Sequence, residues 1–189
     1  MRPRPLLLFD CDGKLFAGED ELAQRCFGDV MNTRHPERTV RGLVRDLGVD
    51  PDAWVQRGLE LYFDRFADST AADWRPHEGV EATLRRLKLD GFRLAAVSAR
   101  PEAIVRFRLE RLGIGGYFAY GTGGFGCEVD GREDLLRLAL WRSASIPRRA
   151  VYVTEPSLDA AAARRLGVPA IAVESLTELP ALVSERPAA

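Results

Sequence analysis

The sequence predicts an α/β fold, a doubly wound parallel sheet with a small helical insertion after its first strand. Two patterns carry that prediction. Four short apolar runs, Leu6–Phe9, Leu94–Val97, Val151–Val153 and Ala170–Val173, lack polar alternation, as strands buried on both faces do. Helical patterns lie between most of them, and strands alternating with helices imply right-handed crossovers into a parallel sheet. Tyr117–Tyr120 is a weaker fifth strand candidate.

Taken in order, the first run ends abruptly at Asp10. The stretch from Phe16 to Arg75 then breaks the rhythm. It reads as three amphipathic helices, around Asp20–Met31, Pro36–Leu47 and Pro51–Phe66, with no strand among them. At roughly sixty residues it is too long for a simple loop. The expected division is therefore an α/β core at 1–15 and 76–189 and a helical subdomain at 16–75. Trp54, Tyr62 and Phe66 recur there at helical spacing and read as its core.

Beyond it, Glu78–Asp90 carries Val80, Leu84 and Leu87 at helical spacing and stops at Gly91. Pro101–Leu112 opens on a first-turn proline and stops at Gly113. Glu133–Trp141 repeats leucine at Leu135, Leu136, Leu138 and Leu140. Ser157 is a cap for Leu158–Leu166, which stops at Gly167 before Pro169.

The bulk properties exclude several function classes. A length of 189 residues suits one good core and a small insertion. A formal net charge of −1 offers no overall positive field for nucleic acid or an anionic membrane. The opening apolar run is too short for a signal-peptide core or a membrane span. Cys11, Cys26 and Cys127 show no CxxC spacing and read as reduced thiols, so a cytoplasmic location is expected. Oligomeric state leaves no trace in the sequence.

Each strong strand ends in a polar residue, where ligands sit in open parallel sheets. The first runs into Asp10-Cys11-Asp12-Gly13, the second into Ser98, and the third into Thr154-Glu155, with Asp159 four residues on. Two carboxylates just past a buried strand are costly unless paired, hydrated or bound to a cation. Glu155 and Asp159 add two more at the same edge, a set of hard oxygen ligands that suits Mg²⁺. Taken singly, Asp12-Gly13 also reads as a turn and Glu155 and Asp159 as helix caps.

These residues resemble the haloacid dehalogenase-like hydrolase superfamily, and most its phosphoglycolate-phosphatase-type branch, over nearly the whole chain. Asp10-Cys11-Asp12-Gly13 resembles its DxDG motif, Ser98 the Ser/Thr of its second motif, and Glu155…Asp159 its final acidic motif. The resemblance implies a Rossmann-like core, a helical C1 cap in place of the 16–75 insertion, and a Mg²⁺-dependent phosphatase of small phosphorylated metabolites. It makes Asp10 the nucleophile and Asp12 the general acid and base. Ser98 becomes a phosphoryl ligand, and Asp10, Asp12, Glu155 and Asp159 hold the metal.

The chain departs from the family pattern within that site. Lys14 stands where the family has Thr, Glu155 where it has Asp, and Thr154 where it has Gly. The usual motif lysine is absent, since Lys14 and Lys88 are the only lysines. Arg132 or Lys14 is then expected to supply the charge at the phosphate. The substitutions leave open a catalytically silent relative that binds a phosphorylated ligand or a partner protein. Dehalogenation is disfavoured by Asp12.

The remaining candidates carry less. Gly121-Thr122-Gly123-Gly124-Phe125-Gly126 fits GxGxxG, but Cys127–Gly131 follows instead of a helix, so it reads as a loop. Arg100 reads equally as pocket-facing or solvated. His35 and His77 are isolated and read as structural or exposed.

Overall fold

The computed structural model describes residues 4–11, 15–17, 21–32, 35, 37–66, 74–154 and 160–184. Five strands form one parallel sheet in the order β5-β4-β1-β6-β7. They are β1 (Leu6–Asp10), β4 (Arg93–Ser98), β5 (Gly124–Phe125), β6 (Ala150–Thr154) and β7 (Ala170–Ala172). The order reverses around β1, as a doubly wound sheet requires.

Because side chains alternate across a strand, the apolar runs split between two cores. Leu7 and Phe9, Leu94 and Ala96, and Val151 and Val153 face one side. There they pack on α4 (Val80–Leu89), α5 (Glu102–Arg111) and α8 (Leu179–Ser184). Leu6 and Leu8, Ala95 and Val97, and Ala150 and Tyr152 face the other, against α6 (Arg132–Arg142) and α7 (Ala160–Arg165). The helices expected at Glu78–Asp90, Pro101–Leu112 and Glu133–Trp141 are found within one to two residues of those bounds, while the predicted start of α7 and its Ser157 cap lie outside the described residues. In the insertion, the helix expected at Asp20–Met31 ends at Phe27 and the one expected at Pro36–Leu47 begins at Val40.

The segment between β1 and β4 holds α1 (Glu21–Phe27), α2 (Val40–Asp46) and α3 (Pro51–Phe66). A third apolar cluster joins Ala23, Phe27, Met31, Val40, Val44 and Tyr62 to Ile104 of α5, with Trp54 packed against it. Trp54 and Tyr62 are thus core, as their spacing implies. The expectation of no strand here is corrected at its edges. Strand β2 (Phe16–Ala17) pairs antiparallel with β3 (Arg75–Pro76), so a two-residue ribbon joins the two ends of the helical stretch.

The fifth strand is also corrected. Tyr117–Tyr120 is no strand: Gly115–Tyr117 is a 3-10 turn. The carbonyls that a strand would offer a neighbour are taken by a buried arginine. Arg106 donates to Phe118 O, Ala119 O and Thr122 O at 3.0–3.2 Å. A buried guanidinium needs several acceptors, and these carbonyls meet that need.

The actual edge strand, β5, lies inside the glycine motif that read as a loop. Gly123 has φ +90°, and a methyl there would overlap Ala96 O of β4. Gly124 and Gly126 likewise allow close backbone approach, since a methyl there would overlap Leu135 O and Ala99 O. Gly123→Ala should combine left-handed strain with overlap and cost about 2 kcal/mol or more of unfolding free energy. Urea denaturation measures this, and an unchanged midpoint would contradict the packing described.

Candidate active site at the carboxyl edge of the sheet

Strand β1 is central, hydrogen-bonded to β4 on one side and β6 on the other. Its last residue, Asp10, is only 7% exposed. Asp10 pairs in register with Val97, so Ser98 follows one residue further along the neighbouring strand. By the two-residue alternation, Asp10 continues the face of Leu6 and Leu8, and Ser98 that of Leu94 and Ala96. The two stand at one edge on opposite faces of the sheet. The structure therefore brings Asp10 and Ser98 to a common rim.

Ser98 is fully buried, and its Oγ accepts the Arg100 N–H at 3.0 Å. That bond fixes the turn where the chain leaves β4. Arg100 O in turn accepts from Gly126 N at 3.0 Å, tying the ends of β4 and β5 together. On the Asp10 face, Tyr152 of β6 donates its hydroxyl to Asp10 Oδ2 at 3.4 Å. Thr154 ends β6 beside Asp10, since the register runs Phe9↔Val153.

Arg132 opens α6 on that same face and is 4% exposed. Its Nε donates to His35 O at 2.7 Å and its backbone N–H to Glu37 O at 3.1 Å. So Arg132, expected near a phosphate, also anchors the helical stretch to the sheet side. His35 is structural, as expected: its Nδ1 accepts the N–H groups of Glu37 and Arg38 at 3.1 Å.

The anchoring continues along the chain. Thr39, Val40 and Arg41 donate their N–H groups to Asp130 O, Ala99 O and Gly126 O, each at 3.0 Å. The Thr39 hydroxyl bonds Val129 O, and Arg41 and Arg45 both pair with Asp130. These partners sit in the turns that follow β4 and β5. The start of α2 is thereby stitched to the loops that frame Asp10 and Ser98. None of this tie was visible in the sequence, because backbone donors have no residue signal.

Charge reinforces it. Arg165 of α7 bridges Glu37 at 2.5 Å and Glu133 at 2.8 Å. The Arg165 hydrogen bond holds the Glu37 carboxyl below its usual range, and Arg41 does the same to Asp52. Burial pushes the Cys127 thiol up.

Asp12, Lys14, Glu155 and Asp159 lie outside the described residues. Among the described residues no group of three or more His, Cys, Asp or Glu could hold a metal, and no helix is long and apolar enough to cross a membrane. Tyr152 was missed by the sequence reading. Its only signal was a hydroxyl in an apolar run, two residues before Thr154.

Comparisons with known proteins agree with this geometry. The family model described as haloacid dehalogenase-like hydrolase matches residues 7–173. The chain is 25% identical over 183 residues to a phosphoglycolate phosphatase of Pseudomonas putida, covering 86% of this chain and 66% of that one. It is 26% identical over 173 residues to a phosphoglycolate phosphatase of Aquifex aeolicus, covering 86% and 81%. It spans only about half of two further Pseudomonas relatives. In structure it is similar to a predicted phosphatase from Clostridium acetobutylicum, with TM-score 0.67 at 20% identity over 95% of this chain and 91% of that one.

Two tests follow from the tie. Arg132→Met should remove a buried guanidinium together with its bond to the partly buried His35 carbonyl and lower unfolding free energy by about 1–2 kcal/mol, read by chemical denaturation. The second concerns Glu37. Its folded value is depressed, so its contribution is present above the unfolded value and lost as pH falls through the folded one. The thermal midpoint should therefore drop on acidification below about pH 4, and Glu37→Gln should flatten part of that drop. An identical acid profile in Glu37→Gln would count against the bridge.

Proposed function

Because the chain belongs to the haloacid dehalogenase-like hydrolases, we propose that it is a Mg²⁺-dependent phosphatase of a small phosphorylated metabolite. The observation that carries this reading is a carboxylate, Asp10, buried at the carboxyl end of the central strand with Ser98 on the same rim. Relatives named phosphoglycolate phosphatase make 2-phosphoglycolate the first substrate to try.

In this reading an Asp10 oxygen attacks phosphorus and the ester oxygen departs, taking a proton from the Asp12 carboxyl. The Asp12 carboxylate then takes a proton from the water that cleaves the aspartyl-phosphate, releasing inorganic phosphate and restoring Asp10. The Ser98 hydroxyl, whose oxygen accepts the Arg100 N–H, hydrogen-bonds a phosphoryl oxygen. Lys14 and Arg132 supply positive charge near the phosphate.

The donor set fits the metal. A buried carboxylate and a neighbouring hydroxyl, Thr154, offer hard oxygens, which Mg²⁺ prefers. Asp10, the Asp12 carbonyl, Glu155 and Asp159 would hold it. When bound, Mg²⁺ neutralises charge on the phosphoryl oxygens. Residues 16–75 act as a cap whose anchored closed position excludes water and limits substrate size. The division of the chain into this cap and a core at 1–15 and 76–189 is supported by the β2–β3 ribbon at the ends of the cap.

The test is a phosphometabolite panel, with an aryl phosphate, in Mg²⁺ and in excess EDTA. Turnover should require Mg²⁺ and vanish in Asp10→Asn, a near-isosteric change. Purified Asp10→Asn that keeps more than a few per cent of activity would refute the aspartyl-phosphate route. A wild type silent on the whole panel would instead favour a ligand-binding relative.

A further inference from the structure

The Asp10 carboxylate is buried at the end of β1, and one positioning contact to it comes from a strand the sequence reading treated as apolar filling. Tyr152 is 1% exposed and lies on β6, hydrogen-bonded alongside β1. Its register partner is Leu8, two residues before Asp10 on the same face. A tyrosine side chain leaning along the strand covers that distance, which is how its hydroxyl comes to Asp10 Oδ2 at 3.4 Å.

The chemistry of the pair is one-directional. A carboxylate only accepts, so the phenol donates. The contact engages Oδ2 and so distinguishes the two carboxylate oxygens. Holding Oδ2 toward β6 fixes the plane of the carboxylate and so sets where Oδ1 lies. A separation of 3.4 Å is long for an O–H···O bond, but such bonds often tighten only when substrate is bound.

A second hydroxyl accompanies it. Thr154, two residues on and on the same face, is fully buried, and its Oγ1 finds no hydrogen-bond partner among the described residues. A buried hydroxyl without a partner is costly and rare. Strand β6 therefore presents two hydroxyls to the edge where the nucleophile lies, in a chain with only two lysines. Lys88, on α4, belongs to the helix that covers the opposite face of the sheet.

We infer that Tyr152 is a positioning residue for the reaction: its hydroxyl holds Oδ2 of Asp10 and so aims Oδ1 at phosphorus. This rests on the function proposed above. In this role Tyr152 acts through Asp10, so its loss reduces turnover and leaves substrate affinity alone.

The experiment compares wild type, Asp10→Asn, Tyr152→Phe and two full-length proteins with 4-methylphenylalanine or 4-aminophenylalanine at position 152, on an aryl phosphate in Mg²⁺. The methyl analogue keeps the volume of tyrosine without a donor, and the amino analogue restores a donor. Both therefore decide the matter should Tyr152→Phe fold poorly. Expected are a fall in kcat of about tenfold, equal to about 1.4 kcal/mol, in Tyr152→Phe and the methyl protein, with KM within twofold. The amino protein should recover most of it.

A second readout needs neither metal nor turnover. In urea unfolding of the metal-free protein, Tyr152→Phe should cost less in an Asp10→Ala background than in wild type. A kcat within twofold of wild type in the methyl protein, or equal kcat in the methyl and amino proteins, overturns the inference. If wild type turns over and Asp10→Asn does not, that failure touches Tyr152 alone. An inactive wild type, or an active Asp10→Asn, refutes the phosphatase reading and the inference with it.

Discussion

A negative charge held out of water at the end of the central strand is the constraint on which the rest of the structure depends. Burying a carboxylate costs several kcal/mol even after relaxation. One hydrogen bond to a charged group returns about 1.5–3 kcal/mol, so the tyrosine hydroxyl alone does not offset the cost. The sheet supplies the setting for further compensation. Strand β1 lies between β4 and β6, both parallel to it, so three strand ends face one rim. Helices on each face carry additional groups toward it, Arg132 among them.

The same arrangement explains why backbone, rather than side chains, frames the site. The turns after β4 and β5 approach so closely that a methyl at Gly126 would overlap Ala99 O, and the carbonyls of Ala99 and Gly126 receive the N–H groups that start α2. Gly42 of α2 obeys the same logic, since a methyl there would overlap Asp130 O. Arg106 fixes the loop leading to β5 from within, by collecting the carbonyls of Phe118, Ala119 and Thr122. The loops after β4 and before β5 are thus held by contacts unrelated to the chemistry of the rim.

The sequence disclosed the sheet well because burial on both faces leaves unbroken apolar runs, as in Leu6–Phe9 and Val151–Val153. It disclosed Asp10 and Ser98 because each interrupts such a run where the strand ends. It hid β5, whose two residues Gly124-Phe125 are too short a run to read as a strand and sit within a glycine-rich stretch. It misled at Tyr117–Tyr120, where aromatic residues suggest a strand but a distant arginine claims the carbonyls. Tyr152 was legible as core and not as a ligand of Asp10, since alternation assigns it a face but not a partner. The tie through Thr39, Val40 and Arg41 rests on main-chain groups, which every residue owns and no composition reveals.

That tie has a kinetic meaning. Moving the start of α2 away from the rim breaks three main-chain bonds together, because residues 39–41 are consecutive and rigidly helical beyond. At a net cost of about 1 kcal/mol each, the detached form is populated at less than about one part in a hundred. Detachment is then a discrete, infrequent event and not a gradual swing. A ligand that needs a wider entrance must wait for it, and its apparent association rate is scaled down by that small fraction. Slow capture would be the mark of this molecule even with fast chemistry.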